Sequence, residues 1–447
     1  MRPLTFPLAA TPPRKLLISA GAMLVAGLLV LTGGGTSPAA AGDLAPDGVV
    51  CSYGSEGQAA TTQTFTLTAR AGQITTPDGN TIYMWGFADG KGTFQYPGPN
   101  LCVKQGDRVR VILKNTLPAK TSIIFPGQTG VTADGVAAAP VLDNTGAISS
   151  LTPTADANDG SVTYSFVADA PGTYAYASGT DEAVQTQMGL FGALLVRPAE
   201  GATFAYNAAR TEFDPKTEFV QVLSDIDPAI HTAVQQGRTP NILAIHPRYW
   251  MINGRSFPDT IAPNNATWLP NQPYNALIHT VANPARPAIV RYVNVTSISH
   301  PMHPHGDHGR VIGRDGALLA GPSGEDLSHE DFAIEVGPGQ TVDALYGWED
   351  TGNWSDPSSA AHPTLPDEPA ALDTLHMSGD TWWSGNRFLG QKDGTNFPPG
   401  VTNYNQCGEY YQVSHSHALN EVTNYGAAMG GMLTLWRIDP INHFDCA

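Results

Sequence analysis

Residues 162–176 read VTYSFVADAPGTYAY, in which Val162–Val167 is a strand-length run rich in Val, Thr, Tyr and Phe that ends shortly before a Pro-Gly pair. Such residues favour strands, and Pro and Gly mark the turns between them. Similar runs recur along the chain, with turn residues about every 8–12 positions: Thr62–Ala69, Arg108–Leu113, Gly192–Val196, Glu218–Leu223, Ala288–Val295 and Val342–Tyr346. This spacing is typical of β-sandwiches. The sequence therefore predicts an all-β protein, with one short helix over Ala229–Gln236.

Composition and charge narrow the classes of function. The chain has 447 residues, of which 14% are charged, and its net charge is −17 at pH 7. An average soluble protein has about 25% charged residues. Phosphate backbones and anionic membrane surfaces would repel this excess of negative charge. Nucleic-acid binding is therefore excluded, and attraction of metal cations is favoured.

The N-terminal segment has the order of features found in export signals. Arg14 and Lys15 precede an apolar stretch over Leu16–Leu31, and the small residues Ala39–Ala41 precede Gly42. A membrane-spanning helix needs about 20 apolar residues, and this stretch is shorter. We therefore predict a cleaved signal peptide over residues 1–41 rather than a stable membrane anchor. The mature chain is then expected in the periplasm or outside the cell.

Four cysteines suit an oxidising compartment, and an even set of four allows three disulfide connectivities. We favour the pairs Cys51–Cys102 and Cys407–Cys446. In the alternative interpretation, one cysteine is a copper thiolate or a free thiol. Cys407 is the candidate for that role because it precedes a histidine cluster.

Histidine placement is the most informative feature of the sequence. All 13 histidines lie at or after His231. Six of them form two groups: His300, His303, His305 and His308 in HPMHPHGDH (300–308), and His415 and His417 in YYQVSHSHALNE (410–421). Side chains two positions apart on a strand share a face, so each group presents two imidazoles in one direction. Two such pairs can surround a Cu, Zn, Ni or Fe ion. In the alternative interpretation, these histidines lie in surface turns and bind no metal.

Several motifs resemble those of multicopper oxidases. HPMHPHG (300–306) is similar to the family's HPxHxHG signature, and HSH (415–417) followed by Gly430-Gly431-Met432 resembles its HCHxxxHxxxGM signature. YPGPNLCVKQGDRVRVILKNTLP (96–118) resembles a strand pair of the family's first domain. The resemblance implies two cupredoxin-like Greek-key β-sandwich domains, at 42–200 and 217–447, with a linker at 201–216 and a long loop at 349–405.

The family moves electrons from a substrate to a blue type 1 copper, and then to a three-copper cluster that reduces dioxygen to water. This chain departs from that plan. Ser416 stands at the position of the type 1 cysteine, and Glu421 at that of a type 1 histidine. The places of the first-domain histidines read Ile124–Gly127 and Ala177–Gly179. The resemblance therefore implies that only a reduced copper site survives.

We infer an exported copper-binding protein whose ligands come from the two histidine groups. The metal ligands are expected to be His303, His305, His415 and His417, with His300, His308, Asp307 and Glu421 as accessory candidates. One interpretation is a copper-dependent oxidoreductase without type 1 copper that takes electrons from a small reductant or a metal ion. The other is a non-catalytic copper carrier or structural module. Homo-oligomers are compatible with either interpretation, and they would not supply the missing ligands.

Overall fold

Strands dominate the chain from Gly48 onward. The computed structural model describes residues 48–90, 92–281, 284–348, 410–424 and 429–439. The predicted signal peptide over residues 1–41, the long loop at 349–405, and both Cys407 and Cys446 lie outside these ranges. No helix within them combines the length and apolar character needed to cross a membrane.

The first half of the described chain contains one α-helix, α1 (Glu182–Met188). Its strands are β1 (Thr62–Thr75), β2 (Thr81–Asp89), β3 (Leu101–Lys104), β4 (Arg108–Asn115), β5 (Thr132–Ala133), β6 (Val136–Ala137), β7 (Val141–Leu142), β8 (Ile148–Ser150), β9 (Gly160–Val167), β10 (Gly172–Ala177) and β11 (Phe191–Arg197). They form a six-stranded sheet in the order β2-β1-β4-β9-β5-β6, a three-stranded sheet in the order β10-β11-β3, and the pair β7-β8.

The second half contains helix α2 (Pro228–Gln235). Its strands are β12 (Glu218–Ile226), β13 (Tyr249–Ile252), β14 (Ile278–Val281), β15 (Ala288–Asn294), β16 (His300–Pro304), β17 (Gly309–Arg314), β18 (Ala317–Leu318), β19 (His329–Asp331), β20 (Ile334–Val336), β21 (Thr341–Tyr346), β22 (Tyr410–Ser416) and β23 (Leu433–Asp439). One sheet runs β13-β12-β15-β21-β17-β18 with β19 beside β17, and the other runs β14-β23-β22-β16-β20. Single 3₁₀ turns lie at Ala209–Thr211, Pro215–Thr217, Ile242–Ala244, Asp259–Ile261 and Leu419–Val422.

Alternation of apolar and polar side chains explains the first pair of sheets. In β9, Val162, Tyr164 and Phe166 are buried, whereas the residues between them are at least partly exposed. Successive strand side chains point to opposite faces, so this period of two gives the sheet one apolar face. That face packs against β10 and β11, whose Tyr176 and Leu194 belong to the same apolar cluster. The two sheets therefore form a β-sandwich.

The second pair of sheets positions the histidine groups. Every residue of β15 is buried, as expected for a central strand covered on both faces. Its Val290 and Tyr292 share an apolar cluster with Met302 of β16 and Trp436 of β23. This cluster joins the two sheets into a second sandwich. Within the five-stranded sheet, β16 lies beside β22, so the two histidine-bearing strands are neighbours.

The structure confirms the all-β prediction, and each of the seven predicted runs overlaps a strand. The predicted helix over Ala229–Gln236 is α2, which begins one residue earlier behind an Asp227 side chain that accepts a hydrogen bond from the amide of Ala229. Helix α1 was not predicted, because seven residues are too few to establish a helical period. The disulfide Cys51–Cys102 is present as expected, with its Cα atoms 5.5 Å apart.

The segment predicted as a linker, residues 201–216, packs against the second sandwich. Tyr206 and Phe213 are buried in a cluster with Ile312 and Leu345. The polar composition of the segment suggested a tether, but two of its three aromatic side chains fix it to the sheet. The segment is therefore part of the folded structure.

A buried ionic network joins the two sandwiches. Glu218, at the start of β12, is paired with Arg197 at the end of β11 and with Arg291 of β15, whose Nε lies 2.6 Å from its carboxylate. Arg291 also lies 3.4 Å from the carboxylate of Asp343. Burial alone would raise the pKa of Glu218, but the two guanidinium groups outweigh it and hold that pKa below its usual value. Breaking a buried pair of this kind costs about 3–5 kcal/mol.

A buried histidine outside the two groups gives the fold a pH dependence. His231 of α2 is 1% exposed, and its Nδ1 lies 2.7 Å from the carbonyl oxygen of Tyr83. Burial lowers the pKa of His231 to about 4. Above a pH of about 6.5 the side chain is neutral in both the folded and the unfolded chain. As the pH falls towards 4, only the unfolded chain takes up the proton, so this contribution to stability is lost.

We expect the His231→Gln variant, which keeps a donor for Tyr83 but cannot titrate, to be less sensitive to acid than the wild type. Between pH 7 and pH 4, the wild type should lose about 3 kcal/mol more unfolding free energy than the variant. Urea unfolding at the two pH values measures this difference. Equal losses in both proteins would show that His231 is not held neutral.

Candidate metal centre

The two histidine pairs meet on adjacent antiparallel strands. Strand β16 pairs with β22 so that His303 lies opposite His415. The backbone amides of His305 and His417 continue the pairing, and each donates across the strands at 2.7 Å. Because side chains alternate, these four imidazoles leave the sheet on one face. The register of the two strands thus brings together residues about 110 positions apart in the sequence.

Three of the four histidines converge closely enough to share an ion. One ring nitrogen from each of His303, His305 and His415 lies within 4.8 Å of the other two. The Nε2 atoms of His305 and His415 are 3.0 Å apart. Two nitrogens that bind one ion at about 2.0–2.1 Å lie about 3 Å apart. This spacing is therefore that of two ligands on a single metal.

Backbone carbonyls orient two of the rings. The Nδ1 of His415 lies 2.7 Å from the carbonyl oxygen of Ser416, and the Nδ1 of His303 bonds to the carbonyl oxygen of Phe332. A carbonyl can only accept, so Nδ1–H donates in both cases and the Nε2 lone pair faces the cluster. This arrangement fixes the tautomer that a metal requires.

Two of the imidazoles, those of His305 and His415, are held neutral. Burial and, to a smaller extent, the neighbouring rings of His415, His303 and His417, which repel a second charge, together lower the pKa of His305 to about 4. Burial also lowers the pKa of His415, although the hydrogen bond to the Ser416 carbonyl opposes the shift. Metal ions bind the deprotonated form of histidine. His305 and His415 are therefore ready to bind a cation at neutral pH without first losing protons.

His417 lies at the edge of this group. Its ring centre is 5.0 Å from that of His303 and 6.0 Å from that of His415, and the side chain is exposed. The ring of Phe332, which is 56% exposed, lies 5.5 Å from His303 and 5.7 Å from His417. The four histidines thus form a cluster with three convergent rings and one ring at its mouth.

The structure places His300 apart from these ligands. It is fully buried on the opposite face of β16, where its Nδ1 lies 2.8 Å from Glu421 and its Nε2 lies 2.8 Å from the hydroxyl of Thr296. The hydroxyl of Ser416 donates to the same Glu421 oxygen. Both nitrogens of His300 are therefore engaged. We call this set, His300, Glu421, Ser416 and Thr296, the buried polar cluster; it does not meet the other histidines.

His308 and Asp307 are not brought to the metal ligands either. Both residues are exposed in the turn after β16, where the Asp307 carboxylate accepts a hydrogen bond from the His308 amide at 2.7 Å. Both line a different surface cavity, beside Trp348. Neither belongs to the group of convergent nitrogens found in the described part of the chain.

In the first sandwich, apolar packing occupies the places where the family resemblance implies copper ligands. Ile124 forms an isolated β-bridge with Ala177. Phe125 packs against the rings of Tyr164 and Phe166, with centroid distances of 5.9 and 4.9 Å. These positions therefore contribute packing rather than imidazoles.

Comparisons with known proteins agree with the arrangement of the two sandwiches. Residues 69–201 match the family model of a multicopper oxidase domain. These residues are therefore similar to a multicopper oxidase domain. The fold of the chain is similar to that of the multicopper oxidase mgLAC, with TM-score 0.53 and 18% identity over 86% of this chain and 89% of the other. It is also similar to a blue copper oxidase from Nitrosomonas europaea, with TM-score 0.52 and 16% identity over 85% and 86%. No curated protein matches the chain in sequence.

The family whose model matches residues 69–201 implies copper as the cofactor, and the donor set of this chain fits that metal. Neutral imidazoles suit copper, and the 3.0 Å separation of the His305 and His415 nitrogens fits a single ion. Among the described residues, three ring nitrogens converge, and the ring of His417 lies beside them. His303, His305 and His415 are the residues that would hold the copper.

The sequence did not reveal the role of Phe332. Its carbonyl orients His303, and its ring covers one side of the cluster. A backbone carbonyl is present in every residue, so no residue type marks such a contact in advance. The sequence signal for Phe332 was an aromatic side chain in a polar turn. Such a side chain can equally pack against its own domain or lie beside a metal site.

Proposed function

We propose that this chain is an exported copper-binding protein in which His303, His305 and His415 hold one copper ion, with His417 at its edge. The observation that carries the proposal is the convergence of three imidazole nitrogens whose rings are kept neutral or oriented by their surroundings. The register of β16 against β22 supports the assignment, because it places His303 opposite His415.

We further propose that the site is a copper-dependent oxidoreductase centre. Copper bound there would supply one-electron chemistry between its two common oxidation states. The chain itself contributes the positions of the ligands. Phe332 and the carbonyl of Ser416 fix two rings, and the exposed His417 leaves one side open to solvent. A small reductant or a metal ion is the donor that fits such an opening.

The electron donor is expected to deliver its electron directly at the copper site that the histidines form. Ser416 has no thiolate, and its hydroxyl is engaged by Glu421 on the other face of the sheet. The family's route from a blue copper through a cysteine is therefore not available in this chain. Copper-loaded protein should lack intense blue absorption, which arises from a copper–thiolate bond.

Export is supported by two independent features. The N-terminal segment has the pattern of a cleaved signal peptide. The disulfide Cys51–Cys102 is a bond that persists in oxidising compartments. We propose the periplasm or the cell exterior as the location.

The oxidoreductase proposal is tested by loading the chain from Gly42 onward with copper and measuring oxygen consumption with a hydroquinone or Fe(II) as donor. We expect consumption that depends on copper and falls to background in His303→Ala, but not in His329→Ala, which removes an exposed histidine outside the cluster. Tight copper binding without consumption of either donor would overturn the catalytic part. That result would instead favour a copper carrier or a structural module.

A further inference from the structure

A second cavity lies between the two sandwiches and shares no residue with the histidine cluster. Its volume is about 410 Å³, within the usual range of about 300–1,000 Å³ for small-molecule sites. Helix α1 forms one wall, and the ends of β12 and β15 form another. The 3₁₀ turn at Ile242–Ala244 and the residue after it close a third side.

A nearly buried carboxylate faces this cavity. Asp225 of β12 is 5% exposed, and its Oδ1 accepts a hydrogen bond from Gln187 Nε2 at 2.7 Å. Within the part of the chain that the structure describes, Oδ2 accepts no hydrogen bond. Because Asp225 lines the cavity, this oxygen is available to a bound molecule.

The carboxylate is held in a fixed position. The other end of the Gln187 amide accepts a hydrogen bond from the backbone amide of Asp227 at 2.8 Å, so its donor end points to Asp225. A group that is oriented before a ligand arrives loses little entropy on binding. The geometry is therefore that of a built site rather than a surface acid.

The charge around Asp225 favours a cation. Burial raises the pKa of this carboxyl, and the nearby carboxylates of Glu421 and Asp227 raise it too, whereas the Gln187 hydrogen bond and His300 oppose them. Glu182 also lines the cavity, and burial raises its pKa. Among the lining residues, none is Lys or Arg. A positive charge brought by a ligand would meet no competing cation in the wall.

The rest of the lining is suited to an apolar body. Phe191 and Val295 line the cavity with Ile242 and Ile245, and the last two side chains are 40% and 38% exposed. A ligand that covers them would bury apolar surface, at a gain of about 25 cal/mol for each Å². The cavity thus combines one oriented carboxylate with several apolar side chains.

We propose that this cavity binds a small organic monocation, a primary ammonium group attached to an apolar body. The ammonium group contacts Asp225 Oδ2, and the apolar body contacts Ile242, Ile245 and Val295. The site is separate from the copper-binding function proposed above, and it does not require copper.

The test is calorimetric titration of the copper-free chain from Gly42 onward with three molecules of similar size: benzylammonium, benzyl alcohol and phenylacetate. We expect benzylammonium to bind about 10- to 100-fold more tightly than benzyl alcohol, because only the former makes a charge-assisted hydrogen bond. Phenylacetate should not bind. Equal affinity for benzylammonium and benzyl alcohol would overturn the proposal.

Two variants locate the site. Asp225→Asn retains the shape of the side chain and an acceptor for Gln187, and it should weaken benzylammonium binding by about 10- to 100-fold. Asp169→Asn, the same change at an exposed position in the turn after β9, should leave binding unchanged. A melting temperature equal to that of the wild type shows that Asp225→Asn is folded. Unchanged binding in folded Asp225→Asn, or binding of all three molecules alike, would refute the assignment.

Discussion

Replacing both His305 and His415 by alanine is expected to abolish copper binding. The wild-type chain should bind about one copper ion, because only three ring nitrogens converge in its described part. The double variant removes the two nitrogens that lie 3.0 Å apart and leaves His303 alone with the peripheral His417. Changing a residue that merely supports a ligand costs 10- to 100-fold in affinity, so losing two ligands should cost more than about 100-fold. Elemental analysis and competition with a chelator measure both quantities.

His308→Ala is the matched control for this experiment. His308 belongs to the same sequence motif, but the structure places it in an exposed turn outside the cluster. Its removal should leave copper content and affinity unchanged. A loss of copper in His308→Ala equal to that in the double variant would contradict the arrangement of ligands described above.

Replacing Glu421 by alanine is expected to destabilise the second sandwich strongly. The side chain of Glu421 accepts hydrogen bonds from His300 and from the hydroxyl of Ser416, and all three residues are buried. Alanine leaves two buried donors without an acceptor. The loss should be about 3–5 kcal/mol in the free energy of unfolding, measured by urea denaturation of copper-free protein.

Glu421→Gln separates the loss of the acceptor from the loss of charge. Glutamine keeps one carbonyl oxygen in place, so it should cost clearly less than alanine. Glu330→Gln, the same substitution at an exposed position, should change stability by less than about 0.5 kcal/mol. An alanine variant as stable as the wild type would mean that the buried polar cluster does not form.

The sequence predicted the fold well because sandwiches depend on local patterns. Strand β9 alternates buried Val162, Tyr164 and Phe166 with outward polar residues, and that alternation is legible in the sequence. Helix α1 escaped prediction because its seven residues carry no repeated pattern. The packing of residues 201–216 also escaped, because two aromatic side chains in a polar segment decide it.

The candidate site was predictable in part for the same reason. The two-residue spacing of His303 and His305 determines which face they share, and the same holds for His415 and His417. That the two pairs face each other depends on the register of β16 against β22, which long-range pairing determines. The positions of His300 and His308 could not be inferred from their proximity in the sequence. One lies on the opposite face of the strand and the other in the following turn.

The carboxylate of Glu218 limits how the two halves of this chain can be exchanged with those of a relative. It pairs with Arg197 from one sandwich and Arg291 from the other, Asp343 supplies the second negative charge beside Arg291, and all four groups are largely withdrawn from water. A chimaera whose first half lacks Arg197 would bury the carboxylates of Glu218 and Asp343 with Arg291 alone, which leaves one negative charge unbalanced. The halves are therefore not interchangeable modules, and crossover points that separate Arg197 from the other three residues are unfavourable.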